Sequence, residues 1–489
     1  MPTAAEIRAE LAALHEALAR DGLMLRSGRR THSLARDIAA AHPLPASRGA
    51  TLALWGLLRG ARGEERDCLH RLLCGCVEAH VRAQLAPLSQ AAAALLPRAG
   101  VSLGGEFVPL IEAAPWLQRQ QDAAARARFA AGFERACASA NPLLRRLIEE
   151  EDRLLSGLGF GGYLGWCRFK SGIDYAAVLP AVEASLERTA GAYFEGLARL
   201  LRRELPSPEP TRCDSIYLLR LGRLDRLFPP ARLNRLPAQL TRLGLDAAHP
   251  HLRIDVAARP GKHPRAVCLG VRVPREVHLL LCPQGGLVDA EGLLHELGHA
   301  LHLAHFDPEL PFEQRSLPRN RALSEAFACL LQGLLASGPF LTALGLTPDE
   351  AGELIRARRL RDLALWRRHA AKLLAEVRMW QNGGPDDGRL YGELLSRHTG
   401  FRYAPSGYLA DMEPGLYPAD YLRAWMAAAQ LTGHLERGFG EGWMFDTRAG
   451  ELLRGLWRQG ERVPLERVLE GLGLVPFDAG PLERRLSAP

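Results

Sequence analysis

The sequence predicts a mainly helical protein with one small β-sheet. Three observations lead there. Residues 1–150 are rich in Ala, Leu, Arg and Glu at helical spacing, and the pattern returns after residue 310. The β-forming residues gather in one stretch, about 251–282. The length of 489 residues exceeds what one core usually supports, so two domains or lobes are expected.

Thr3-Ala4-Ala5-Glu6 reads as a capping box that opens the first helix, and residues 1–20 lack the basic start and apolar centre of a signal peptide. Helical segments follow over 4–20, 50–58, 65–92 and 118–138, with breaks at Asp21-Gly22, His42-Pro43 and 97–105. Residues 143–155 and 175–203 continue the helical pattern, and Pro206-Ser207-Pro208-Glu209-Pro210 is a loop or linker. Segments 251–256, 266–273 and 276–282 read as strands of a small sheet. Gly285-Gly286 then makes a turn, and Asp289 is the expected N-cap of the next helix. The most apolar stretch, 326–346, holds Gln332, Ser337 and Pro339, so it reads as a buried helix and a break rather than a membrane span.

Composition narrows the function. An apolar content of 47% and a charged content of 24% are ordinary for a soluble globular chain. The net charge of +7 is small and its basic residues are dispersed, which argues against nucleic acid as a partner. The arginine clusters at 356–361 and 367–368 alternate with Leu and Ala and read as the solvated face of a helix. Nine scattered cysteines without ribbon or redox spacing point to free thiols in a reducing compartment, and so to a cytoplasmic protein. Gly157-Leu158-Gly159-Phe160-Gly161-Gly162 satisfies a dinucleotide fingerprint, but a charged helical stretch rather than a strand precedes it. It reads as an inter-helical loop.

The run His295-Glu296-Leu297-Gly298-His299 carries chemistry. Residues four apart share a helix face, so both histidines can reach one metal ion. Glu296, beside the first ligand, can act as general base on a zinc-activated water. The neighbours Leu293, Leu294, Leu297, Ala300 and Leu301 are apolar, and burying two imidazoles and a carboxylate without a partner is costly. A catalytic zinc takes three protein ligands. A third histidine at 305 would need a glycine at 302 to turn the chain back, and His302 stands there. The better third ligand is Glu325, the single carboxylate in the apolar helical stretch 321–331, with Asp307, Glu309 and Glu313 as weaker rivals.

These residues resemble the thimet oligopeptidase and oligoendopeptidase F family of zinc peptidases. The resemblance rests on the metal motif through His302 and on Ser324-Glu325-Ala326. Arg259-Pro260-Gly261-Lys262, residues 158–163, Cys213-Asp214-Ser215-Ile216-Tyr217 and the run 443–460 are also similar. The match spans about 145–489, whereas the first 140 residues share only helical character. It implies an N-terminal helical region, 1–140, and a catalytic region, 141–489. It also implies a two-lobed helical shell around a deep substrate channel, with the small β-sheet before the metal-binding helix. One Zn2+ on His295, His299 and Glu325, Glu296 as base and oligopeptide substrates follow from the same resemblance. A substrate strand is expected to pair with the sheet edge near 276–282.

Residues 398–425 depart from the family. A histidine expected between Gly407-Tyr408 and Tyr421-Leu422 is absent. The stretch Gly415-Leu416-Tyr417-Pro418-Ala419-Asp420-Tyr421 is at least as similar to the carboxypeptidase Taq family. Tyr408, Tyr417 and Tyr421 are the candidate donors to an oxyanion. A carboxypeptidase would use Arg402 or Arg423 to hold the terminal carboxylate. A zinc-containing peptide-binding protein without turnover is the non-enzyme alternative, and the oligomeric state is not legible.

Overall fold

A computed structural model describes residues 1–205 and 209–487. The chain is mainly helical, with two small sheets. Six helices carry the argument: α1 (Ala4–Arg26), α2 (Ala123–Gly157), α3 (Leu287–Ala304), α4 (Ala322–Gln332), α5 (Pro348–Gln381) and α6 (Tyr417–Phe439). The strands are β1 (Gly100–Leu103), β2 (Glu106–Pro109), β3 (Leu252–Asp255), β4 (Val267–Arg272) and β5 (Glu276–Leu280).

Two compact units share the chain. One comprises Met1–Ala83, Leu224–Ile355 and Arg423–Pro481; the other comprises Gln84–Arg223, Arg356–Leu422 and Leu482–Pro489. These units do not follow the division at residue 140, which falls inside α2. The linker residues 206–208 lie outside the described residues.

In the first unit, α1 starts on the expected capping box: the Thr3 hydroxyl accepts from the Glu6 N–H, and Glu6 accepts from the Thr3 N–H. The helix does not break at Asp21-Gly22. Asp21 is buried and accepts from Arg30 (2.7 Å), Ser33 (2.7 Å) and the Leu34 N–H (3.1 Å). A turn-forming residue thus serves as an anchor for the chain that follows. Leu23 on α1 packs on Val271 and Leu280 of the three-stranded sheet.

The sheet order is β3-β5-β4, with β5 parallel to β3 and antiparallel to β4. The strand at 276–282 was the expected edge. It is instead central, and all five residues of β5 are buried. Its apolar content suits burial between two neighbours, and β3 and β4 are left as the edges. Lys262 is buried and donates to the carbonyls of Asp255, Ala257 and Leu281 (2.8–2.9 Å), tying the Arg259–Lys262 segment to the sheet.

α3 follows the sheet directly. Its N-cap is Gly286, one turn before Asp289. Asp289 reaches back instead and accepts from the N–H groups of Gln284 (2.6 Å) and Gly285 (2.9 Å), while Asp225 accepts from Leu287 N–H (3.1 Å). Acidic groups therefore sit at the positive end of the helix, contributed by two separate segments. α4 packs against α3 and ends at Gln332, and a short helix follows the Ser337 cap. No described helix is long and apolar enough to cross a membrane.

In the second unit, β1 and β2 form a hairpin that the sequence reading missed, having taken 97–105 as a break. Leu103 pairs with Glu106, so Gly104-Gly105 is a two-residue turn with both φ values positive (56° and 92°). The hairpin's Val101 and Val108 pack on Phe129 of α2. The arginine clusters on α5 are not a solvated face: Arg358, Arg361 and Arg367 are buried. Arg367 donates to the carbonyls of His398 (2.8 Å) and Leu186 (2.5 Å). Backbone acceptors, which periodicity does not reveal, draw Arg367 inside. The glycines at 157–162 lie between two helices, as expected of an inter-helical loop. All nine cysteines are free.

Candidate metal centre

His295 and His299 occupy successive turns of α3 with ring centroids 4.8 Å apart, nearly perpendicular. Glu325, in the first turn of α4, faces both. Its carboxylate oxygens lie 3.3 Å from His295 Nε2 and 3.7 Å from His299 Nε2. Among the described residues this is the group of three whose ligand atoms all fall within 4.8 Å of one another.

The other ring nitrogens are held from α4. His295 Nδ1 bonds to Gln332 Oε1 (3.0 Å), and His299 Nδ1 bonds to Ser324 Oγ (2.8 Å). Donating Nδ1–H outward leaves each Nε2 as a lone pair pointing at Glu325, the arrangement of metal-bound imidazoles. Two lone pairs and a carboxylate facing one another in a buried site require a shared cation. The donor set therefore fits a metal ion, and zinc suits two nitrogens and one carboxylate oxygen. Burial pushes His299 down to about 4, so it is neutral and ready to ligate. Burial also disfavours the charged form of His295, but hydrogen bonds with Cys329 and Glu325 outweigh it and raise its pKa.

Glu296 projects toward the sheet. Its Oε2 accepts the Cys268 N–H of β4 at 2.7 Å. Cys268 pairs with Leu279 on β5, and its N–H points to the other side, along the free edge of β4. Burial, with Glu325 nearby, raises the Glu296 pKa from the ordinary carboxylate value.

The rival acids are elsewhere. Asp307 and Glu309 are exposed, and Glu313 is buried in an ion pair with Arg8. His302 is fully buried among the rings of Phe306, Phe327 and Trp457, and burial holds it neutral, down to about 3. His305 donates to the Leu301 carbonyl. The sequence reading missed Ser324, Gln332 and Cys268. Ser324 and Gln332 had a signal, as polar residues flanking Glu325 on an otherwise apolar helix; Cys268 contributes only backbone and had none.

The candidate tyrosines lie in the second unit. The Tyr408 hydroxyl donates to the Asp386 carbonyl (2.5 Å) and accepts from Arg145 (2.8 Å). Tyr417 and Tyr421 share a face in the first turns of α6, with rings 5.5 Å apart, and Tyr421 stacks on His369. Arg402 pairs with Glu134, and the buried Arg423 pairs with Glu466.

No protein-family model matches the chain, and no curated protein does. Solved structures do. PZ peptidase A, solved with an inhibitor, superposes with a TM-score of 0.65 at 13% identity, over 99% of this chain and 96% of its own. A Bacillus anthracis protein described as an oligoendopeptidase F gives 0.63 at 14% identity, over 99% and 95%. The chain has the fold of these peptidases. The likeness in fold extends through the first 140 residues, where sequence showed only helices. A Trypanosoma cruzi metallocarboxypeptidase shares the peptidase fold at a TM-score of 0.59 and 15% identity, over 98% of this chain and 99% of its own.

Proposed function

We propose that the chain is a zinc-dependent metallopeptidase acting on short oligopeptides. One observation carries the reading: His295, His299 and Glu325 converge, with Glu296 beside them on α3 and bonded to the Cys268 N–H of β4. A zinc ion bound there supplies a Lewis acid that polarises a carbonyl and makes water acidic. Glu296 takes the water proton and returns it to the leaving amine nitrogen, so one carboxyl serves as base and then as acid. Gln332 and Ser324 keep both imidazoles in the ligating tautomer. The position of β4 as an outer strand supports backbone pairing with an extended peptide that brings a carbonyl to Glu296. Tyr417 and Tyr421, in the first turns of α6, are the proposed donors to the oxyanion, with Tyr408 as a further candidate.

The test compares zinc content and peptide hydrolysis of the native protein with Glu296→Gln. Native protein that binds zinc yet hydrolyses a peptide library no faster than the variant is a binding protein without turnover. A carboxypeptidase reading is favoured by the similarity of residues 415–421 to the carboxypeptidase Taq family and by a neighbour's name, but the two arginines suited to a terminal carboxylate are both paired. Equal hydrolysis of C-terminally free and amidated peptides rules it out.

A further inference from the structure

We infer that Lys372 and Tyr163 are positioning residues which, with Arg368, set the direction of Tyr417 and Tyr421. The inference rests on the catalytic role proposed for those tyrosines. Asp411, Glu413 and Gly415 immediately precede them, with Met412 and Glu413 extended (ψ 142° and 137°). Alternate residues of an extended segment face one side, about 6.6 Å apart, and residues four apart on a helix are separated by about 6 Å. The two spacings match, and α5 uses the match. Arg368 donates twice to Asp411 (2.5 and 2.7 Å), and Lys372 donates to Glu413 (2.6 Å). Farther along the same face, Trp380 stacks on Tyr163 at 4.6 Å, and the Tyr163 hydroxyl accepts the Gly415 N–H at 2.6 Å.

The segment thus meets α5 directly at two points and, through Tyr163, indirectly at a third. Beyond the last point the chain turns sharply: Gly415 and Leu416 both have positive φ (75° and 53°). Leucine disfavours that region, so surrounding contacts must impose it. Leu416 is buried and the Gly415 N–H is held, and α6 begins at the next residue. The corner therefore fixes where the first turn of α6 aims its two tyrosines. Arg368 also anchors a wider cluster, since Asp411 accepts from Tyr391 and Arg212. Lys372 and Tyr163 serve the corner more narrowly, and they give the cleaner test.

The experiment uses the zinc-loaded full-length protein. Tyr163→Phe and Lys372→Met are compared with Lys372→Arg, Tyr417→Phe and Tyr421→Phe. Hydrogen exchange over residues 411–421 is read alongside kcat and KM. Tyr163→Phe and Lys372→Met are expected to speed exchange in that segment about tenfold. They are expected to lower kcat about tenfold with KM and zinc content unchanged, and Lys372→Arg restores most of it. Unchanged exchange overturns the inference whatever the activity. Faster exchange with wild-type kcat overturns it too, provided Tyr417→Phe or Tyr421→Phe lowers kcat; the peptidase reading then stands. If neither tyrosine variant alters kcat, the tyrosine role falls, and the inference with it.

Discussion

The metal centre and the tyrosine segment are built in opposite ways. The metal centre draws its ligands, their orienting partners and the base from two neighbouring helices, α3 and α4, with one strand beside them. The tyrosine segment is a short run held by charged and aromatic side chains from far away in sequence, such as Tyr163 and Arg212. A site of the first kind loses its chemistry when one residue changes. A site of the second kind loses alignment by degrees, because several contacts share the load.

Substitutions can sharpen or break that contrast. The largest effect is expected for Glu296→Gln, which removes the proton acceptor and leaves the ligands: kcat falls by about 10²–10⁴ while zinc content, read by atomic spectrometry, is unchanged. Next comes Gln332→Ala, which frees the His295 ring. Zinc affinity, measured by competition with a chelator, is expected to fall about 10–100-fold. An unchanged affinity would mean that α3 alone orients the imidazole.

A smaller effect is expected for Tyr408→Phe, where the hydroxyl bonds to Arg145 and Asp386 are lost. Stability falls by about 1 kcal/mol in denaturant titration, with kcat preserved. A large fall in kcat would return Tyr408 to the reacting groups. A last effect concerns pH. Glu376 on α5 is fully buried, its oxygens accept no hydrogen bond, and burial pushes it up to about 8. Folded protein then keeps that proton while unfolded chain loses it, so stability drops as pH rises from the ordinary carboxylate range toward 8. Glu376→Gln is expected to leave Tm unchanged near pH 4 and to raise it by a few degrees at pH 8, by calorimetry.

The same contrast explains what the sequence revealed. His295, Glu296, His299 and Glu325 were legible because helical spacing is a local rule, and α4's apolar neighbours singled out its one carboxylate. The sheet before α3 was legible from its β-formers. Its strand order was not, since β5 lies between β3 and β4 through pairing that composition does not encode. Asp21 and Arg367 were misread for one reason. Their hydrogen-bond partners lie in other segments brought close by the fold, so a turn former sat in a helix and a charged side chain went inside. The Gly104-Gly105 hairpin carried a usable turn signal, hidden within a stretch taken as a break.

Gly298, between His295 and His299, has no side chain to keep α4 away. A Cβ there would lie 2.6 Å from Ala328 Cα and 3.0 Å from the Phe327 carbonyl oxygen. Both atoms belong to backbone that cannot swing aside. One methyl group would therefore act as a spacer between the helices and lift Glu325 off the histidines as a rigid body. Metal–ligand distances tolerate only about 0.2 Å. The site's bore is thus machined by an atom that is missing. A Gly298→Ala chain could keep every ligand and still hold them at the wrong gauge.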